Sequence, residues 1–201
     1  AWGSHAGSRR CPPRAGRPRL GDTRARRMPP VPPRHDALLV PCIDDRDGHV
    51  LKTGGDAFCA AFHTASDALA AALDAQRALH REPWPEGAKL RVRMALHSGA
   101  VELRDGDYFG APLNRVARLL AAGHGGQTLL SEPMHDLCRD HLPPLVSVKA
   151  LGAHGLQDPP RPETVCQVRQ PDLPQRLPPP KSTAATPGSE TPSTPRLRLA
   201  H

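Results

Sequence analysis

Two short stretches place side chains capable of chemistry at defined spacings. In "VLKTGGDAFCAAF", residues 50–62, Lys52 stands four residues before Asp56, and Gly54-Gly55 form a turn between two apolar runs. This reads as a β-hairpin with a carboxylate at its tip, which can be either a solvated turn or a projecting ligand. In "RDGDYFGAPLNRVARLLAAG", Asp105-Gly106 make a turn, Gly110 and Pro112 start a helix, and Gly123 stops it. Asn114 and Arg118 are four apart on that helix, hence one turn from each other on one face. Near a helix N-terminus such a pair can grip a phosphate group, or it can be an ordinary surface pair.

The surrounding segments must position these residues, and they alternate between helical and strand periods, as a mixed α and β domain requires. "RHDALLVPCIDD" begins as a helix that Pro41 should interrupt. "TASDALAAALDAQRALHRE" carries the stripe Leu69, Ala72, Leu73, Gln76 and Leu79, with Thr64 or Ser66 as cap and Pro83 closing the helix. Leu90, Val92, Met94 and Leu96 alternate along a strand that continues through Ser98-Gly99 into Val101 and Leu103, as a second hairpin or a bent strand. On the Asn114 helix, Leu113, Val116, Ala117 and Leu120 form the apolar face. "GGQTLLSE" reads as a strand entering a helix over 133–141, and two late strands lie around 146–151 and 165–168.

Charge and proline divide the 201 residues into three parts. Residues 1–36 hold nine arginines against two aspartates, whereas the remainder carries 18 basic and 18 acidic groups. The net charge of +7 therefore belongs to an arm, not to a nucleic-acid-binding face of the domain. That arm has only isolated apolar residues such as Leu20 and Val31, so residues 1–33 are expected to be a disordered Arg/Pro-rich arm. Residues 34–170 form the domain. Residues 171–201, with eight prolines and many Ser and Thr, are expected to be a disordered linker or tail. Five scattered cysteines without a C-x-x-C pair imply reduced thiols in a cytoplasmic protein. No apolar run reaches the roughly 20 residues of a membrane span, and the eleven histidines show no metal-ligand spacing.

Five blocks, "KTGGDAF", "RVRMALHSGAV", "GDYFGAPLNRVARL", "GGQTLLSE" and "LGAHGLQD", resemble in order and spacing the catalytic domain of the class III nucleotidyl cyclases, the adenylate and guanylate cyclase family. The likeness is to the bacterial branch, in which the domain precedes a proline-bearing linker and an ATPase or regulatory module. It implies a ferredoxin-like α+β core, used as a head-to-tail homodimer with ATP at the interface and Mg or Mn as cofactor. It makes Asp56 a metal ligand, Lys52 and Asp107 the purine readers, Asn114 the residue that orients the ribose, and Arg118 the stabiliser of charge growing on the α-phosphate. Lysine as donor and aspartate as acceptor suit N1 and the 6-amino group of adenine. The implied activity is conversion of ATP to cyclic AMP and pyrophosphate in intracellular signalling.

Two departures bear on that activity. The family begins with a strand carrying a second metal carboxylate, in a motif like F-x-D-I-x-G-S-T, and the arm shows no such motif; its first acid is Asp22. The first strand is therefore expected to be missing or replaced. Basic residues usual in the stretch matched by "HGLQD" give way here to Gly155 and Gln157. These departures favour the alternative of a catalytically inactive cyclase-homology module that dimerises, binds nucleotide or regulates. "GGDAF" also suggests a diguanylate cyclase, but that family needs an acid after the aspartate, where Ala57 stands.

Overall fold

The computed structural model describes residues 2–6, 31–54, 57–85, 89–104, 107–156 and 162–181. Its centre is a seven-stranded mixed sheet of β1 (Trp2–Ala6), β2 (His49–Gly54), β3 (Ala57–Ala61), β4 (Val92–Leu96), β7 (Thr128–Ser131), β8 (Ser147–His154) and β9 (Glu163–Arg169), in the spatial order β2-β3-β1-β4-β7-β9-β8. A separate two-stranded ribbon pairs β5 (Glu102–Arg104) with β6 (Asp107–Phe109). The helices are α1 (Val31–Asp44), α2 (Ala65–Arg81), α3 (Ala111–Ala122) and α4 (Glu132–Cys138). The α+β class expected from the sequence is the one observed.

Alternation along the strands sorts side chains into two cores, one on each face of the sheet. Met94 and Leu96 of β4, Leu130 of β7 and Cys166 of β9 pack with Leu39 and Ile43 of α1, the α2 stripe, and Met134 and Cys138 of α4. Their strand neighbours Ala95, Leu129 and Val165 pack instead with Val116, Leu119 and Ala122 of α3. All five residues of the expected α2 stripe are buried, and Thr64 caps that helix by accepting from the Asp67 amide at 3.1 Å. The apolar face of α3 is rotated from the expected one. Val116, Leu119 and Ala122 are buried, whereas Ala117 is exposed.

Three expectations are corrected. The first strand is not missing, because Trp2–Ala6 lies between β3 and β4 at the sheet centre, antiparallel to both. Backbone pairing does not depend on side-chain identity, and without β1 two central strands would each leave a row of unpaired amide and carbonyl groups. Helix α1 runs through Pro41. Pro41 is exposed and near the helix end, and its own carbonyl still accepts from the Asp45 amide at 2.9 Å; only its missing N–H is lost to the ladder. The segment after β4 does not fold back on it, since β5 pairs with β6.

The domain also extends past residue 170. Residues 171–181 have no regular secondary structure, yet they are fixed to the domain by Arg77 Nε to Asp172 Oδ2 at 3.1 Å and by Lys181 N to the Ala122 carbonyl at 2.8 Å. This part of the expected tail is packed, with Pro180 buried.

Candidate active site

Register places one end of the sheet as a composite edge. In the β2–β3 hairpin Gly54 pairs with Ala57 as the last described pair at the hairpin's tip. β1 runs antiparallel to β3 with Trp2 opposite Ala60 and Gly3 opposite Cys59. The C-terminal end of β1 is thus carried toward the same tip. Asp56 itself lies outside the described residues, and Trp2–Ala6 contains no acid.

Lys52 sits in β2 opposite Cys59, and Asp107 opens β6 opposite Arg104; their side chains are not among those described. The residues next to them in sequence, Leu51 and Tyr108, line a single cleft of about 220 Å³, with Phe62, His97, Pro112 and Leu113 among its other walls. The cleft therefore opens between the β2 strand and the segment that runs from β6 into α3. That junction is tight. Gly110, at φ 138°, caps α3, and a side chain on Gly99 would meet Pro112 Cγ at 2.7 Å. Any larger residue at 99 would push the start of α3 away from the end of β4.

On α3, Asn114 is exposed and Arg118 half-buried. Arg118 forms no ion pair with another described residue, whereas its neighbour Arg115 is bound to Glu163 at 3.2 Å. Nothing in the sequence reading singled out His97, which lines the cleft and is 4% exposed, with Nδ1 paired to Ser131 Oγ at 2.7 Å. Its alternation with the apolar residues of β4 is the only sequence signal for its position.

Burial pushes the His97 imidazole below its ordinary value of 6.5, and the positive charge of Arg115 adds to the effect. Protonation then favours the unfolded chain. Stability should be intact above about pH 6.5 and fall as pH drops below it, because the unfolded state binds the proton first. Thermal unfolding followed from pH 7.5 to 5 should show this decline, and His97→Gln should flatten it. A wild-type profile no steeper than the variant's would contradict the assignment.

No protein-family model matches the chain. A crystal structure of an adenylate/guanylate cyclase/hydrolase from Silicibacter pomeroyi superposes with a TM-score of 0.60 and 31% identity, over 69% of this chain and 80% of that one. The chain belongs to the class III adenylate/guanylate cyclase family. The fold of the cyclase domain extends to the catalytic core of a rhodopsin-guanylyl cyclase in complex with ATPαS, at a TM-score of 0.63 but 14% identity, over 84% of this chain and 93% of that one. An uncharacterized protein of Mycobacterium tuberculosis is 43% identical over 139 residues, 69% of this chain. This cyclase domain spans 46% of that relative's length.

Proposed function

We propose that the chain is an adenylate cyclase domain that converts ATP to cyclic AMP and pyrophosphate, acting as a homodimer. What supports this reading is that β2, β6 and the start of α3, the elements bearing Lys52, Asp107, Asn114 and Arg118, border one cleft through Leu51, Tyr108, Pro112 and Leu113, although Asn114 and Arg118 are not among its lining residues. Lys52 would donate to adenine N1 and Asp107 accept from the 6-amino group. Asn114 would orient the ribose so that its 3′-hydroxyl faces the α-phosphate. Arg118 would bind the oxygens on which charge grows as that hydroxyl attacks and pyrophosphate leaves.

Mg or Mn is the cofactor this reading implies. Asp56, which lies in sequence between the paired ends of β2 and β3, would be the carboxylate that holds it; no group of three potential metal-ligating side chains occurs among the described residues. Magnesium is commonly held by one or two carboxylates together with substrate phosphates, so Asp56 plus the triphosphate is the smallest set that fits. When bound, the ion would neutralise phosphate charge.

The purine preference supplies the test. Wild-type chain should bind a fluorescent ATP analogue more tightly than its GTP counterpart, and Lys52→Glu with Asp107→Ala should weaken ATP binding about tenfold or more and remove the preference, each lost hydrogen bond in a specific site counting for 1 kcal/mol or more. Equal binding of both purines by the wild type would overturn the assignment of these two residues.

A second reading, a regulatory module that holds nucleotide without turning it over, is favoured by one observation. The strand at the sheet centre, Trp2–Ala6, brings no acid to the hairpin tip.

A further inference from the structure

We propose that residues 171–181 are a strap whose docking holds the C-terminal end of α3, so that a pull on this segment or competition for its groove resets the helix that carries Asn114 and Arg118. The groove runs along α2 and the Gly125-Gly126 turn, where Leu173, Pro174 and Leu177 line one small cavity with Leu79, Leu90 and Val92. Its occupant is the chain's own segment.

The strap is attached at spaced points. Asp172 pairs with Arg77, the Pro178 carbonyl accepts from Gln127 Nε2 at 3.0 Å, and the Pro179 carbonyl faces His124 Nε2 at 3.0 Å. Lys181 N then donates to the Ala122 carbonyl at 2.8 Å. That carbonyl is among the last four of α3, which have no partner inside the helix. Proline carbonyls accept bonds while offering no amide in return, and the fixed proline φ lowers the entropy lost when the segment is ordered.

Gln127 makes the attachment selective. It is fully buried, its Oε1 accepts from the His124 amide at 2.9 Å, and its Nε2 also donates to Gln167 Oε1 at 3.1 Å. Release of the strap takes from this buried amide the bond to Pro178, so docking is favoured over partial detachment. Arg118 lies four residues from Ala122, about 6 Å along the axis at 1.5 Å per residue. The clamp acts one turn from it.

The effect on turnover rests on the cyclase reading of Asn114 and Arg118, but the clamping of α3 does not, so the experiment measures the clamp without nucleotide. Hydrogen exchange by mass spectrometry on the full chain would compare wild type with Leu173→Asp/Leu177→Asp, and with the milder Pro178→Gly/Pro179→Gly should the first not fold. Amides over 119–124 should exchange about tenfold faster in the variants, with those of β8 and β9 unchanged, and a synthetic peptide of residues 171–181 in excess should restore protection. The proposal is overturned if the strap's own amides accelerate while 119–124 do not, or if every peptide accelerates by the same factor. Cyclic AMP formation that stays constant when α3 loosens would remove the link to the site while leaving the cyclase reading untouched.

Discussion

Arg118→Ala is expected to lower cyclic AMP formation by about a hundredfold to a thousandfold, with little change in nucleotide affinity or in melting temperature. Groups aimed at charge that develops only in the transition state typically contribute that much to turnover, and their loss falls on kcat rather than on ground-state binding. The expectation of an intact fold comes from the structure. Arg118 is half-buried on α3 and has no ion-pair partner among the described residues, whereas Val116, Leu119 and Ala122 do the packing of that helix. Arg115→Ala is the informative control, since it breaks the bond to Glu163 and should affect stability more than turnover. Comparable losses of turnover in the two variants would show that α3, and not its individual guanidinium, is what matters.

The second large effect concerns β1. A carboxylate introduced at the C-terminal end of Trp2–Ala6, at Ser4, His5 and Ala6 in turn, should raise Mn-dependent turnover at one of these positions by about tenfold to a thousandfold. The reasoning is geometric and electrostatic. β1 runs toward the end of the β2–β3 hairpin, between whose strands Asp56 stands in sequence, and a second carboxylate there would complete a two-sided grip on ions that neutralise a triphosphate. Each factor of ten corresponds to about 1.4 kcal/mol of barrier, within reach of one well-placed charge. Three variants that fold as well as the wild type and gain nothing would argue that the sheet's end is not a metal site, and would favour the regulatory reading.

Much of the fold was legible because period and capping agree. The α2 stripe, the Thr64 cap, the β2–β3 hairpin and the stop at Gly123 all follow from local chemistry, and the structure has them. β1 was not legible. Five residues with one glycine and a single large apolar side chain carry no strand period, and the demand for a strand there comes from β3 and β4, which are distant in sequence. The packed 171–181 segment was hidden for a similar reason, since proline-rich composition marks an absence of regular structure but not an absence of partners; Gln127, His124 and Arg77 supply them from elsewhere in the chain. At the site, the β6–α3 block was readable as a turn followed by a helix. Its meeting with β2 across a cleft, and the buried His97–Ser131 pair beside it, depend on the tertiary fold.

Turnover of ATP by this cyclase-family domain is measured most directly as formation of labelled cyclic AMP from α-labelled ATP by the purified chain with Mn, beside the Asp56→Ala variant. The wild type should give cyclic AMP and pyrophosphate in equal amounts and the variant at least a hundredfold less, since Asp56 is the carboxylate proposed to hold the metal ion. No cyclic AMP from a folded wild-type chain that binds ATP, or equal amounts from both proteins, would contradict it.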